Sequence, residues 1–174
     1  FAAASKAALL KTKPAPVYLP EYADLIEIGN FEDDFPRIAE ADWVIEVVKE
    51  DLAIKKKVLG EASKHRRPGS IISTNTSGIL VRSMTEVMDG DMRKHFLGTH
   101  FFNPPRYLKL LEIIPGPDTL PEVVETLKRF AENVLGKGIV MARDTPNFVA
   151  NRILTYACQF IMREFPKHGL TVED

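Results

Sequence analysis

An open, doubly wound α/β sheet, mostly parallel, is the fold this sequence predicts. Short apolar runs alternate with segments of helical periodicity, and the linkers between them are only a few residues long. One run, Trp43-Val-Ile-Glu-Val-Val48, is almost continuously apolar, as expected of a strand buried on both faces of a parallel sheet. Ligands of such sheets bind beyond the carboxyl ends of the strands, so Glu50, Ser77 and Asn103, each just after a predicted strand, are nominated by topology alone.

The elements follow in order. Phe1 to about Lys13 is rich in alanine, leucine and lysine and reads as helix, ended by Pro14 and Pro16. An extended connector to Pro20 precedes a short strand at Leu25 to Ile28, closed by Gly29-Asn30, and an acidic helix from about Glu32 to Glu40. After the Trp43 to Val48 strand, in which Glu46 is the interruption, Asp51 begins a helix to about Lys64 that Pro68-Gly69 stops. Ser70 to Thr74 is a strand, Asn75 to Gly78 the loop at its carboxyl end, Ile79 to Met88 a helix, and Asp89-Gly-Asp91 a turn. Two strand-like runs follow, one ending at Phe102 and one spanning Leu108 to Ile114, joined by a turn at Asn103-Pro-Pro105. A helix from about Pro121 to Leu135, a strand at Ile139-Val-Met141 and a final helix to about Phe165 complete the chain, with Thr145 as N-cap and Pro146 at the first helical position.

The hairpin-like stretch carries one titratable group on each strand. Pairing the two runs about Arg106 places His100 opposite Glu112, which sits between Leu110-Leu111 and Ile113-Ile114 and needs a partner if that run is buried. An imidazole held by a carboxylate is the core of a general base; it is also a way to satisfy a core histidine.

Composition narrows the class. The 174 residues carry a net charge of −1 and are 45% hydrophobic, which fits one globular domain and gives no overall electrostatic footprint for DNA or RNA. The basic run Lys64-His-Arg-Arg67 reads as a solvated helix end. With Cys158 the single cysteine, no intrachain disulfide is possible, no metal-ligand cluster is visible, and a cytoplasmic protein is expected. There is no secretory signal pattern and no apolar run of membrane-spanning length. Phe1 in place of methionine, an uncapped helix at the start, and a loop from Gly169 to Asp174 with Thr171 as a candidate cap for a further helix read as a fragment.

Ala41-Asp-Trp-Val-Ile-Glu-Val-Val-Lys-Glu-Asp-Leu52, Ser73-Thr-Asn-Thr-Ser-Gly78, Gly98-Thr-His-Phe-Phe-Asn-Pro-Pro105, Lys109-Leu-Leu-Glu-Ile-Ile114 and Asp144-Thr-Pro-Asn-Phe-Val-Ala-Asn-Arg152 together resemble the L-3-hydroxyacyl-CoA dehydrogenase family. The closest look is to long bacterial members fused to an enoyl-CoA hydratase-like segment. The resemblance implies a Rossmann-like domain truncated at its N-terminal strand-turn-helix, spanning residues 1–145, then a linking helix at 146–174 leading to a C-terminal helical domain that makes the dimer. It implies NAD as cofactor and an acyl-CoA as substrate, oxidised in fatty-acid β-oxidation.

By position, the resemblance makes His100 the catalytic base and Glu112 the carboxylate that holds it. It makes Ser77 the hydrogen-bond partner of the reacting oxygen and Asn151 a side chain that helps to hold the substrate. Glu50, Lys55 and Asn103 match cofactor-side positions near the nicotinamide ribose. Each has a plainer reading: Ser77 as a helix cap, Asn151 as a surface amide, Glu50 and Lys55 as solvated first-turn charges. Two departures stand out, Asn147 where most members carry glycine and Gly78 where a second serine is common; the glycine-rich turn and the acidic residue for the adenine ribose do not occur in these 174 residues. The alternatives are a dehydrogenase for another hydroxy acid, or a non-catalytic relative that only binds ligand.

Overall fold

The computed structural model describes residues 2–171; the predicted helix start at Phe1 and the end of the loop at 172–174 lie outside the described residues. Its centre is a five-stranded sheet in which spatial order follows chain order: β1 (Trp43–Glu46), β2 (Ile71–Thr74), β3 (Phe96–Phe101), β4 (Leu110–Pro115) and β5 (Gly138–Met141). Neighbours run parallel except β3 and β4, which are antiparallel and joined by the Asn103-Pro-Pro105 loop. The sheet is therefore mostly parallel, as predicted, and its antiparallel pair is the predicted hairpin.

Helices cover both faces. α2 (Leu52–His65) packs Leu59 and Ala62 with Ile72, Phe96 and Ile114 and with Val81 and Met84 from a 3-10 helix, Val81–Val87. α4 (Pro121–Asn133) lays Val123, Leu127 and Ala131, spaced one helical turn apart, on Leu97, Leu111 and Ile113 of the opposite face. Successive strand residues such as Ile113 and Ile114 thus feed different cores, which is why these strands are apolar on both sides. Asp51 caps α2 by accepting from the Ala53 and Ile54 amides, and Asp89 caps the short α3 (Gly90–Lys94) where the sequence predicts only a turn.

Several expectations are corrected. The first helix, α1 (Ala2–Leu9), stops before Lys13, with the Lys11 amide turned back to Ala8 O. No strand forms at Leu25 to Ile28: Pro20–Leu25 is a 3-10 helix, and Leu25 is 81% exposed, without the neighbour that a strand needs to pair its backbone. The acidic helix contracts to a 3-10 segment, Phe35–Glu40, because Asn30 Oδ1 captures the Glu32 and Asp33 amides in a side-chain turn. β1 ends at Glu46, whose own carboxylate takes the Val48 amide at 2.6 Å and turns the chain out of the ladder. The predicted helix from Ile79 to Met88 is the 3-10 helix Val81–Val87, whose leading amides, those of Val81 and Arg82, are held by Asp144. Arg66 is buried and bonds Asp91 Oδ2 at 2.7 Å and Ser70 O at 2.9 Å, so the basic run is not simply a solvated helix end.

The last helix, α5 (Ala150–Glu164), begins later than Pro146, and Thr145 is not its cap. Asn147 and Phe148 precede it with φ of 60° and 45°, a left-handed bend that separates the helix from the strand before it. Its apolar residues Ile153, Leu154, Tyr156, Phe160 and Met162 are exposed.

Candidate active site

The β3–β4 register sets His100 directly opposite Glu112. His100 Nδ1 lies 2.7 Å from Glu112 Oε2 in a buried pair, Glu112 itself being 0% exposed. A carboxylate accepts, so Nδ1 carries a proton and donates it; the other ring nitrogen, Nε2, has no hydrogen bond among the described residues. The ring is confined by Phe102 and Phe148, with centroids 4.4 and 5.8 Å away.

Glu112 does a second thing that the sequence analysis does not foresee. Its other oxygen, Oε1, accepts from the amides of Val149 at 3.0 Å and Ala150 at 2.8 Å, at the start of α5. The helix that lacks a local cap is capped across the sheet, and its positive end faces the carboxylate.

From α5 the site continues to the loop after β2. Asn151 Nδ2 donates to Ser77 O at 3.2 Å, and the Ser77 amide donates to Glu50 Oε1 at 3.0 Å. Glu50 also takes the Thr76 hydroxyl, and Lys55 Nζ reaches its Oε2 at 3.2 Å. Burial raises the Glu50 carboxyl, but the bonds from Thr76, the Ser77 amide and Lys55, with the Lys55 charge, outweigh it and hold the group below its ordinary range. A carboxylate lowered on folding stabilises the fold above its unfolded pKa, and that contribution is lost as pH falls through the lower folded value.

Six of the seven nominated residues are thereby joined: His100 to Glu112, Glu112 to the start of α5, Asn151 on α5 to Ser77, and Ser77 to Glu50 and Lys55. Asn103 is exposed in the loop after β3, and no hydrogen bond ties it to the others among the described residues. Lys55 is not the solvated charge of the plainer reading: it is 1% exposed, with its ammonium enclosed by Glu46, Glu50 and the Val48 carbonyl. Sequence reasoning passed over Glu46, Thr74, Thr76 and Asn75, whose Oδ1 accepts the Phe101 amide at 2.9 Å. The signal for Glu46 was present, since it interrupts an apolar strand just as Glu112 does.

Residues 4–145 match the family model described as 3-hydroxyacyl-CoA dehydrogenase, NAD binding domain. The chain belongs to that family. A Bacillus subtilis relative named "Probable 3-hydroxyacyl-CoA dehydrogenase" is 54% identical over 164 residues, 94% of this chain but 21% of its own length. A Deinococcus radiodurans relative of the same name is 45% identical over 162 residues, covering 93% of this chain and 47% of its own length. Among solved structures, the (S)-3-hydroxybutyryl-CoA dehydrogenase of Ralstonia eutropha superposes with a TM-score of 0.78 at 26% identity, over 98% of this chain and 59% of that one. The chain thus spans about a fifth to a half of the length of these curated relatives.

Gly78 and Asn147, the two positions at which the sequence departs from the pattern it resembles, lie against each other. A Cβ on Gly78 falls 2.5 Å from Asn147 Oδ1, so the missing side chain on one residue makes room for the amide of the other. Gly78→Ala is expected to cost about 1 kcal/mol by overpacking, and Asn147→Gly in the same chain to remove that cost. Denaturant unfolding of the four members of the cycle measures it, and purely additive values contradict the coupling.

Proposed function

We propose that the full-length protein is an L-3-hydroxyacyl-CoA dehydrogenase of fatty-acid β-oxidation, oxidising 3-hydroxyacyl-CoA to 3-ketoacyl-CoA with His100 and Glu112 as the general-base pair. The observation that carries the reading is the buried 2.7 Å contact between Nδ1 and Oε2, which leaves Nε2 as a proton acceptor in a chain of this family. Oxidation of the alcohol requires loss of its hydroxyl proton as the carbon gives up hydride. Nε2 takes that proton, and Glu112 stabilises the imidazolium as it forms. Ser77 Oγ hydrogen-bonds the reacting oxygen, and the Asn151 amide helps to hold the substrate.

The residues fit the nicotinamide half of NAD. Glu50 presents an ionised carboxylate, its side chain 44% exposed, at the carboxyl end of β1 beside the Ser77 loop, a suitable acceptor for ribose hydroxyls. Asn103 serves the same side, and Lys55 lies behind Glu50. NAD, when bound, supplies the hydride acceptor. Residues 1–145 are read as part of the NAD-binding domain and 146–174 as the helix linking it to a helical domain through which the protein forms a homo-oligomer in the cytoplasm. No described helix is long and apolar enough to cross a membrane.

The test is NADH oxidation by the full-length protein with a short 3-ketoacyl-CoA. Turnover that requires the CoA thioester supports the assignment. Turnover of free keto acids with NADH, or of free hydroxy acids with NAD, instead points to another dehydrogenase, and NADH binding without turnover of any of these points to a non-catalytic relative.

A further inference from the structure

Behind the exposed Glu50 lies a polar chain that runs into the core. Lys55 Nζ bonds both oxygens of Glu46, at 2.9 and 3.0 Å, and the side chains are 1% and 2% exposed. Glu46 is further fixed by the Val48 amide on Oε1 and by the Thr74 hydroxyl on Oε2, both at 2.6 Å. Thr74 Oγ1 in turn accepts the Thr76 amide at 3.3 Å, so Glu46 reaches the Ser77 loop by a second route besides Lys55 and Glu50. Each oxygen of Glu46 therefore has two donors, and nothing in the proton transfer proposed above uses the residue.

We propose that Glu46 is a positioning residue for nicotinamide-nucleotide binding, acting through Lys55 on Glu50; this rests on the dehydrogenase reading above for the role of Glu50. An ammonium this deep is stable only with a compensating anion, and Glu46 supplies it with both oxygens. Held from below, Lys55 needs only a single contact, at 3.2 Å, with Glu50 Oε2. Glu50 is then pinned at both ends, Lys55 on one oxygen and the Thr76 hydroxyl and Ser77 amide on the other, with its outer edge facing solvent. Remove the charge at Glu46 and Lys55 must take its anion from Glu50, drawing that carboxylate inward and away from a ribose.

Glu46→Gln in the full-length protein tests this, with NADH affinity read directly by the fluorescence of the bound nucleotide. The expected result is NADH binding weakened by about tenfold, with the acyl-CoA KM and the pH profile of kcat unchanged. In a Glu50→Gln background the same substitution is expected to weaken NADH binding little further, because the route through Lys55 to the ribose is already cut. A folded Glu46→Gln protein that binds NADH like the wild type overturns the proposal, as do effects of Glu46→Gln and Glu50→Gln that multiply independently. Should Glu46→Gln not fold, Glu46→Gln with Lys55→Met removes both buried charges together, which is far better tolerated than removing one. That double variant is expected to fold and to bind NADH weakly; wild-type affinity, or failure to fold, makes Glu46 a folding residue only. The binding readout stands apart from turnover, so a wild-type protein that binds NADH but leaves 3-ketoacyl-CoA unreduced sinks the dehydrogenase reading and not this one.

Discussion

Replacing His100 by alanine is expected to lower kcat of the full-length protein by roughly two to four orders of magnitude, the range that a positioned acid-base group contributes. The geometry gives the reason. Nδ1 is committed to Glu112 at 2.7 Å, which fixes the ring's orientation and points Nε2 away from the pair. Phe102 and Phe148 restrict the ring from its sides, so the nitrogen is held in place before substrate arrives. Alanine removes the acceptor and leaves Glu112 Oε2 buried without its donor, while the two amides on Oε1 remain. Steady-state rates with 3-ketoacyl-CoA and NADH measure the loss. An unchanged kcat takes the base role away from His100.

Glu112 gives the second large effect, and here the choice of substitution separates two roles. Glu112→Gln keeps the shape and still offers Oε1 to the Val149 and Ala150 amides, so the start of α5 stays capped. On the other side the carboxamide donates where the carboxylate accepted. The ring must then present Nδ1 as acceptor, which moves its proton to Nε2 and closes that nitrogen to a substrate proton. The same inversion of a histidine tautomer in the serine protease triad costs about 10⁴ in kcat, and a loss of roughly 10² to 10⁴ is expected here without a large loss of stability. Glu112→Ala instead strands the imidazole and both helix amides, and should destabilise the fold by about 3–5 kcal/mol. Thermal unfolding and kcat measured on the same two variants decide the matter. If Glu112→Gln folds normally and turns over at the wild-type rate, Glu112 is a structural cap and nothing more.

The features that were legible in the sequence are those whose partners are close in the chain or announced by contrast. The β3–β4 register was readable because each strand carries one titratable group among apolar neighbours and a short turn about Arg106 fixes the pairing. Asp51 was readable as a helix start because its partners, Ala53 and Ile54, are two and three residues away. The true start of α5 was not, since the cap comes from Glu112, 37 and 38 residues upstream, and Pro146 offered a plausible local alternative. Lys55 and Arg66 looked like solvated charges because helical periodicity does not record the carboxylates of Glu46 and Asp91 that enclose them. Leu25 to Ile28 failed in the opposite sense: the local pattern suits a strand, but strands form between neighbours, and the sheet as described has none for it.

The two-sided grip of Glu112 makes α5 and the imidazole a single mechanical linkage. The carboxylate is a rigid plane with the ring hanging from one oxygen and the helix seated on the other. A small slide of α5 along its axis stretches both amide contacts at once, and the carboxylate either follows, tilting His100 with it, or lets the helix go. Whatever comes to lie against the exposed side of α5 therefore has a lever on the His100 ring.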